Sequence, residues 1–384
     1  MKRLITFAAC TALIMQACGQ NTQPATEKPV KRTLPQLPVI ANKYQLTDFL
    51  TENKQLDGDV DAIFASLDDT AIVAQLIMPA VGRLGQTNAT INSHISNRQI
   101  GGILMLNGTK EEFTKWISGF ESRNKELGNP GFLYSADAEP SLVNRKIIGS
   151  HTVKKANEMS TVAEVRAYAD TIAMDLKAIG INYNFAPVVD MSPNKTVGFR
   201  SFGAVPANII PWSNAFIQAT QQQGIIATAK HFPGHGLVSG DTHKALQVID
   251  GELKEIGNYP QLIKDGVLSV MIGHLAVANN PKYDTKGLPA TTSRVIVTDL
   301  LRTEMGFKGL IVTDAMNMGG VTAIAGSDVK AIEAGCDILL MPLDAAKAHS
   351  AILKRYRSDA AFKAQVDASA KRVIRMKLCV GAYK

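Results

Sequence analysis

Eight short apolar runs, separated by stretches of helical patterning, constrain the fold more than any other feature of the chain. They cover residues 75–80, 100–106, 131–137, 182–190, 224–232, 269–275, 309–314 and 337–342. Each is too short for a core helix and is bounded by Gly, Pro, Asn or Asp. Helical periodicity fills the intervals, for example over 163–179 and 205–223. A repeated strand–helix order implies a parallel sheet. Eight repeats predict an α/β fold with a closed (β/α)8, TIM-like barrel as a single domain. An open doubly wound sheet is the alternative. The first run, QLIMPA, also reads as the end of a helix.

The chain opens MKRLITFAACTALIMQACGQ, with Lys2 and Arg3 ahead of a mostly apolar Leu4 to Ala17. That run is too short to span a bilayer, so residues 1–17 read as a signal peptide. Met15-Gln16-Ala17-Cys18 is similar to a bacterial lipobox, which predicts a lipidated Cys18. An ordinary secretory signal cut nearby is the alternative. Residues 18–44 carry Pro24, Pro29, Pro35 and Pro38 among polar residues and read as a flexible tether. Globular patterning covers 45–384.

The bulk numbers narrow the function classes. At 384 residues and 46% hydrophobic the chain has ample material for a large core. Loss of residues 1–17 removes two cations and no acid, leaving 39 Lys+Arg against 34 Asp+Glu. No dense basic block accompanies this mild excess, which argues against nucleic acid as a partner. Of four cysteines, Cys10 falls in the signal and Cys18 at its end. Cys336 and Cys379 form no closely spaced framework, although a bridge between them stays open.

A barrel places its working groups at the C-terminal ends of strands. Asp137, Asp190, Lys230-His231, His274 and Asp314 all sit there in the predicted register. Polar groups at the tail of a buried run are costly unless paired or used. The richest segment is KHFPGHGLVSGDTH, residues 230–243, a loop with a cation and three imidazoles. Asp241 and His243 lie two apart, so the carboxylate can accept from one ring nitrogen while the other passes a proton. The same pair also fits a solvated turn. Asp314 ends the strand GLIVTD, where a carboxylate can attack an electrophilic carbon or cap the next helix. Tyr134-Ser135-Ala136-Asp137-Ala138-Glu139-Pro140, with Arg145, offers groups for sugar hydroxyls or a structural ion pair. His274 fits either the pocket mouth or a satisfied buried site. His235 and the loop glycines read as loop-shaping, and Met316 and Met318 as pocket floor.

KHFPGHG followed by four residues and D-[ST]-H resembles the signature of the family 3 glycoside hydrolases of β-N-acetylglucosaminidase (β-N-acetylhexosaminidase) type. Asp137, Glu139 and Arg145 match that family's spacing, as do Asn184-Phe185-Ala186-Pro187-Val188-Val189-Asp190, Arg200-Ser201-Phe202-Gly203 and Gly309 to Asp314, all in the family's order. The resemblance spans roughly residues 60–380. It implies that Asp314 is the nucleophile of a retaining exo-glycosidase, that His243 is its acid/base and that Asp241 holds His243. It implies that Asp137, Arg145, Arg200, Lys230 and His231 grip N-acetylglucosamine, and that no cofactor or metal is needed. The implied substrate is a terminal β-linked N-acetylglucosamine, as in peptidoglycan fragments. The lipobox-like start and the tether, and not the resemblance, give the expected setting, a lipid-anchored, periplasm-facing membrane. The family usually has two glycines after the Glu, where this chain has Pro140 and Ser141, and often an acid where it has Val205. Both departures bear on the leaving-group side. Three alternatives remain: a metal-dependent hydrolase using His231, His235, Asp241 and His243, a phosphorylase with the same site, and a sugar-binding lipoprotein without turnover.

Overall fold

A computed structural model describes residues 37–40 and 43–383. The predicted signal peptide, Cys18 and most of the predicted tether lie outside the described residues. Within the span read as tether, Leu37, Ile40 and Tyr44 pack against the core.

All eight apolar runs contribute strands. Ala80–Val81, Gly102–Met105, Leu133–Ala136, Tyr183–Asn184, Ile226–Phe232, Ser269–Ile272 and Leu310–Thr313 form one parallel sheet in strictly sequential order. With no reversal there is no topological switch point, so the sheet is not doubly wound. The eighth run, Leu339–Leu340, pairs in parallel with Ile77–Met78 in a separate two-stranded ladder. A single bridge, Val312 to Ile338, links it to the seventh strand. The fold is therefore TIM-barrel-like, but its ladder is a parallel half-barrel and not the closed eight-stranded one that the repeat count predicts. Pro79 splits the first run into its two short strands, since proline has no N–H to give a ladder. The last strand is only two residues long, so the seam has few backbone groups to pair.

The helices follow their sequence signals closely. Val162–Ile179 starts where Thr161 accepts the Glu164 N–H at 3.1 Å and stops at Gly180, whose φ of 96° closes the C-terminus. Its buried stripe, Val165, Ala169, Ile172, Ala173, Leu176 and Ile179, has the 3–4 residue spacing of one helical face. Pro206–Gln222 begins with proline in its first turn, where the missing donor costs nothing. Strand residues are buried on both faces, as expected between barrel interior and outer helices. Cys336 and Cys379 are both buried free thiols, so the bridge left open above is not formed.

One buried carboxylate ties the seam together. Asp337, fully buried, accepts from Arg302 at 2.7 Å, the Ile311 N–H at 2.8 Å, Ser369 Oγ at 2.8 Å and Arg372. It joins the seventh and eighth strand regions to the π-helix Val295–Glu304 and the C-terminal helix Ala360–Cys379. Removing one member of a buried ion cluster leaves charge uncompensated. Asp337→Ala is expected to destabilise the fold by about 3–5 kcal/mol in urea unfolding. An unchanged midpoint and slope would rule out this anchoring role.

Candidate active site

The strands end at a cavity of about 660 Å3. Asp137, Arg145, Arg200 and Lys230 lie on its wall, together with His231, Asp241, His243 and Asp314. The structure thus gathers every predicted active-site and substrate-contact residue around one space, although they come from the ends of four separate strands and the segments that follow them. A larger cavity of about 800 Å3 lies at the opposite ends of the strands and is lined by none of them.

Asp314 follows the strand Leu310–Thr313, and its backbone N–H donates to Ile272 O at 2.8 Å. Oδ1 accepts the Ala315 N–H at 2.8 Å. Among the described residues its second oxygen carries no hydrogen bond. Burial pushes the carboxyl up, but His231, His274, the Ala315 N–H and His243 together leave it below its ordinary value. It is thus an anion near neutral pH with one oxygen uncommitted.

The Asp241–His243 pair sits at the cavity's edge. Nδ1 of His243 lies 2.8 Å from Asp241 Oδ1, which also accepts the His243 N–H at 3.0 Å. Burial raises the Asp241 carboxyl, and these two donors outweigh it and hold it ionised. Nδ1 is therefore the donor, and Nε2 is the nitrogen left to exchange a proton. The His243 side chain is 61% exposed. Backbone bonds of 3.0 Å from Gly319 N to His243 O and from Gly320 N to Thr242 O tie this loop to the segment that follows Asp314. Asp314 and the Asp241–His243 pair are thus held by one hydrogen-bonded unit.

The buried wall is a charge cluster. Arg200 forms a fork on Glu139, with Nε to Oε2 at 2.8 Å and Nη2 to Oε1 at 2.7 Å. Lys230 reaches Glu139 Oε1 at 2.5 Å and also donates to Asp137, which Lys146 meets from the other side. Burial raises both carboxyls, but the surrounding cations win: Lys146 leads at Asp137, which ends well below its usual range, and Arg200 leads at Glu139. Arg200 and Lys230, expected to grip sugar, are therefore held first by Glu139 and Asp137. Arg145 lines the cavity as an exposed side chain with no ion pair among the described residues. Lys146 was missed by sequence reasoning. It is one residue beyond the motif position, and only the short helix Val143–Lys146 turns it toward Asp137.

His231 is fixed from behind. Nδ1 donates to Asp190 Oδ2 at 2.6 Å, and Asp190 also accepts the His231 and His235 N–H groups. Burial raises Asp190, but His231 and His235 bring it below its ordinary value. Nearby Glu255 moves the other way, to about 8, through burial and the Asp190 charge, against three backbone N–H groups from Met191, Gly236 and Leu237. Glu255 anchors the glycine loop, and no local sequence signal marks it. Gly236 is required there, since a Cβ would lie 1.8 Å from Met191 O. His274 is buried with both nitrogens used, Nδ1 on Thr291 Oγ1 and Nε2 on Ala315 O, each at 2.9 Å. Burial lowers its pKa, so it is a neutral ring steadying the peptide after Asp314, not a group at the pocket mouth. Among the described residues no three His, Cys, Asp or Glu side chains group as metal ligands. His231 and His235 converge on Asp190, while His243 turns to Asp241.

The depressed Asp137 and Glu139 carboxyls fix the sign of a pH effect. Their folded values lie below the unfolded ones, about 3.9 and 4.3. The stability they contribute is present above those values and is lost as pH falls through the folded ones. Through these two carboxyls, thermal midpoints should therefore drop below about pH 4. Glu139→Gln should be less stable than wild type by about 3–5 kcal/mol at pH 7, with the gap narrowing as pH falls below 4. A gap independent of pH would contradict the assigned ionisation.

Comparison with known proteins agrees with this geometry. Residues 69–376 match the Glycosyl hydrolase family 3 N terminal domain. A beta-hexosaminidase of Hydrogenovibrio crunogenus is 28% identical over 261 residues, covering 63% of this chain and 71% of the relative. A family 3 beta-N-acetylglucosaminidase structure from Paenibacillus sp. str. FPU-7 superposes with a TM-score of 0.76 at 28% identity, covering 82% of this chain and 63% of that one. A beta-N-acetylhexosaminidase structure from Beutenbergia cavernae gives 0.72 at 27% identity, covering 80% and 97%. The chain thus spans less than two thirds of the Paenibacillus protein and nearly all of the Beutenbergia one. It belongs to glycosyl hydrolase family 3, as a glycoside hydrolase whose relatives include proteins named beta-hexosaminidase.

Proposed function

We propose that the chain is a retaining exo-β-N-acetylhexosaminidase that removes terminal β-linked N-acetylglucosamine. The observation that carries this reading is the pairing of an ionised, half-free Asp314 with the Asp241–His243 dyad on one cavity. In the first step the free oxygen of Asp314 attacks the anomeric carbon. The bond to the leaving oxygen breaks, and that oxygen takes the proton from His243 Nε2. In the second, Nε2 takes a proton from water, whose oxygen displaces Asp314 from the anomeric carbon with a second inversion. Asp241 stabilises the imidazolium at the start and end of the cycle. An imidazole titrates close to neutral pH, so it serves as acid and base without the burial that a carboxylic acid needs.

The family's substrate chemistry and the names of the relatives support N-acetylglucosamine as the unit recognised. Peptidoglycan fragments are the proposed source, consistent with the lipobox-like Met15 to Cys18 and a periplasm-facing lipid anchor. The residues 45–384 form the catalytic unit in this reading.

Hydrolysis of a chromogenic β-N-acetylglucosaminide, with and without phosphate, tests it. Wild type should release the chromophore with the β-anomer of the sugar as first product, read by NMR. Asp314→Ala should lose on the order of 10^4-fold or more in kcat. His243→Ala should lose roughly 10^2–10^4-fold on a poor leaving group and much less on an acidic phenol. The α-anomer as first product would overturn retention. A rate that requires phosphate would make the reaction phosphorolysis.

A further inference from the structure

The cavity lining holds two phenylalanines with opposite surroundings. Phe185 is buried, at 1% exposure, whereas Phe199 is 37% exposed. A single exposed apolar ring is ordinary on a protein surface, but this one lines the cavity and is placed to touch what enters it. We propose that Phe199 determines leaving-group specificity, its ring forming the platform for the flat C–H face of a second pyranose. This rests on the glycosidase reading above.

Phe199 is held in place on both sides. Beside it, Arg200 is locked to buried Glu139 by the two-bond fork. Its own carbonyl accepts Ser141 Oγ at 2.7 Å, and the same Oγ accepts the Ala156 N–H at 2.9 Å. Ser141 stands where the family usually has glycine, which has no hydroxyl to make these bonds. The segment is also tied internally, by Thr196 N to Asn194 Oδ1 and Gly198 N to Asn194 O, both at 2.7 Å. The backbone that carries the ring is thus fixed before anything covers it.

The position of this segment says which side of the bond the ring serves. Asn194 Nδ2 donates to Val238 O and, at 3.0 Å, to Gly240 O, while Asn194 N donates to Gly236 O at 2.9 Å. Gly240 directly precedes Asp241. The wall that carries Phe199 is thus stitched to the loop that carries the proton donor. The oxygen protonated by His243 belongs to the leaving group, so the departing ring lies along this wall. Ser141 is the positioning residue, and Phe199 the one that touches substrate.

The test compares kcat/KM for a β-1,4-linked N-acetylglucosamine disaccharide and for the methyl β-N-acetylglucosaminide, read as a ratio in each variant. Phe199→Ala should lower the ratio roughly three- to tenfold, while Phe199→Trp, which keeps a flat ring, should hold it. Ser141→Gly should lower it in the same direction through a raised KM for the disaccharide. If wild type cleaves both glycosides and Phe199→Ala leaves the ratio unmoved, the leaving-group assignment is overturned and the glycosidase reading stands. If wild type cleaves neither, the glycosidase reading falls and takes the assignment with it.

Discussion

The buried ion cluster of Asp137, Glu139, Arg200 and Lys230 is the constraint on which the rest of the site depends. Each ion taken from water costs several kcal/mol if left alone, so none of the four holds its place without the others. They come from the loops after the strands Leu133–Ala136 and Tyr183–Asn184 and from within Ile226–Phe232. Satisfying their charges locks three neighbouring walls of the cavity in one arrangement. In the proposed reaction, substrate hydroxyls would then meet donors and acceptors that are already oriented, which lowers the reorganisation needed.

Three histidines around the cavity illustrate how environment assigns roles to one side chain. His231 is buried and held by Asp190, and His274 is buried with both nitrogens committed. Of the three only His243 is largely exposed, although its Nε2 and that of His231 both carry no hydrogen bond among the described residues. A proton carrier must exchange with leaving group and water, so only the third environment suits that work. The carboxyls divide in a similar way. Asp190 stays ionised beside His231, while Glu255, close by and without a cation, is pushed up to about 8. Glu255 holds three backbone N–H groups and does not line the cavity.

Much of this was legible beforehand, for a local reason. Strands and helices follow from periodicity over a handful of residues, and all eight apolar runs became strands. Two residues of separation bring Asp241 and His243 within reach, but that spacing fits a solvated turn as well, and it was the resemblance that marked the pair as a dyad. The ladder's incomplete closure was less readable. It turns on Pro79 withdrawing a donor from the first run and on the shortness of Leu339–Leu340, details that a count of repeats does not weigh. Lys146 was missed for a related reason: Arg145 held the motif spacing, but the turn of Val143–Lys146 presents its neighbour to Asp137.

The sequence by itself determined the alternating α/β architecture, the family and the identity of the groups that line the site. Covalent spacing and side-chain chemistry are local properties, and they survive without a fold. Tertiary structure alone decided which cation holds which acid. Lys230 meets Asp137 across 93 positions and Arg200 meets Glu139 across 61. It also decided that Ser141 supports Phe199 from 58 positions away. Coulomb attraction, desolvation and hydrogen bonding depend on distance through space and on exclusion of water. Those quantities exist only once the strands have brought remote segments to a common end.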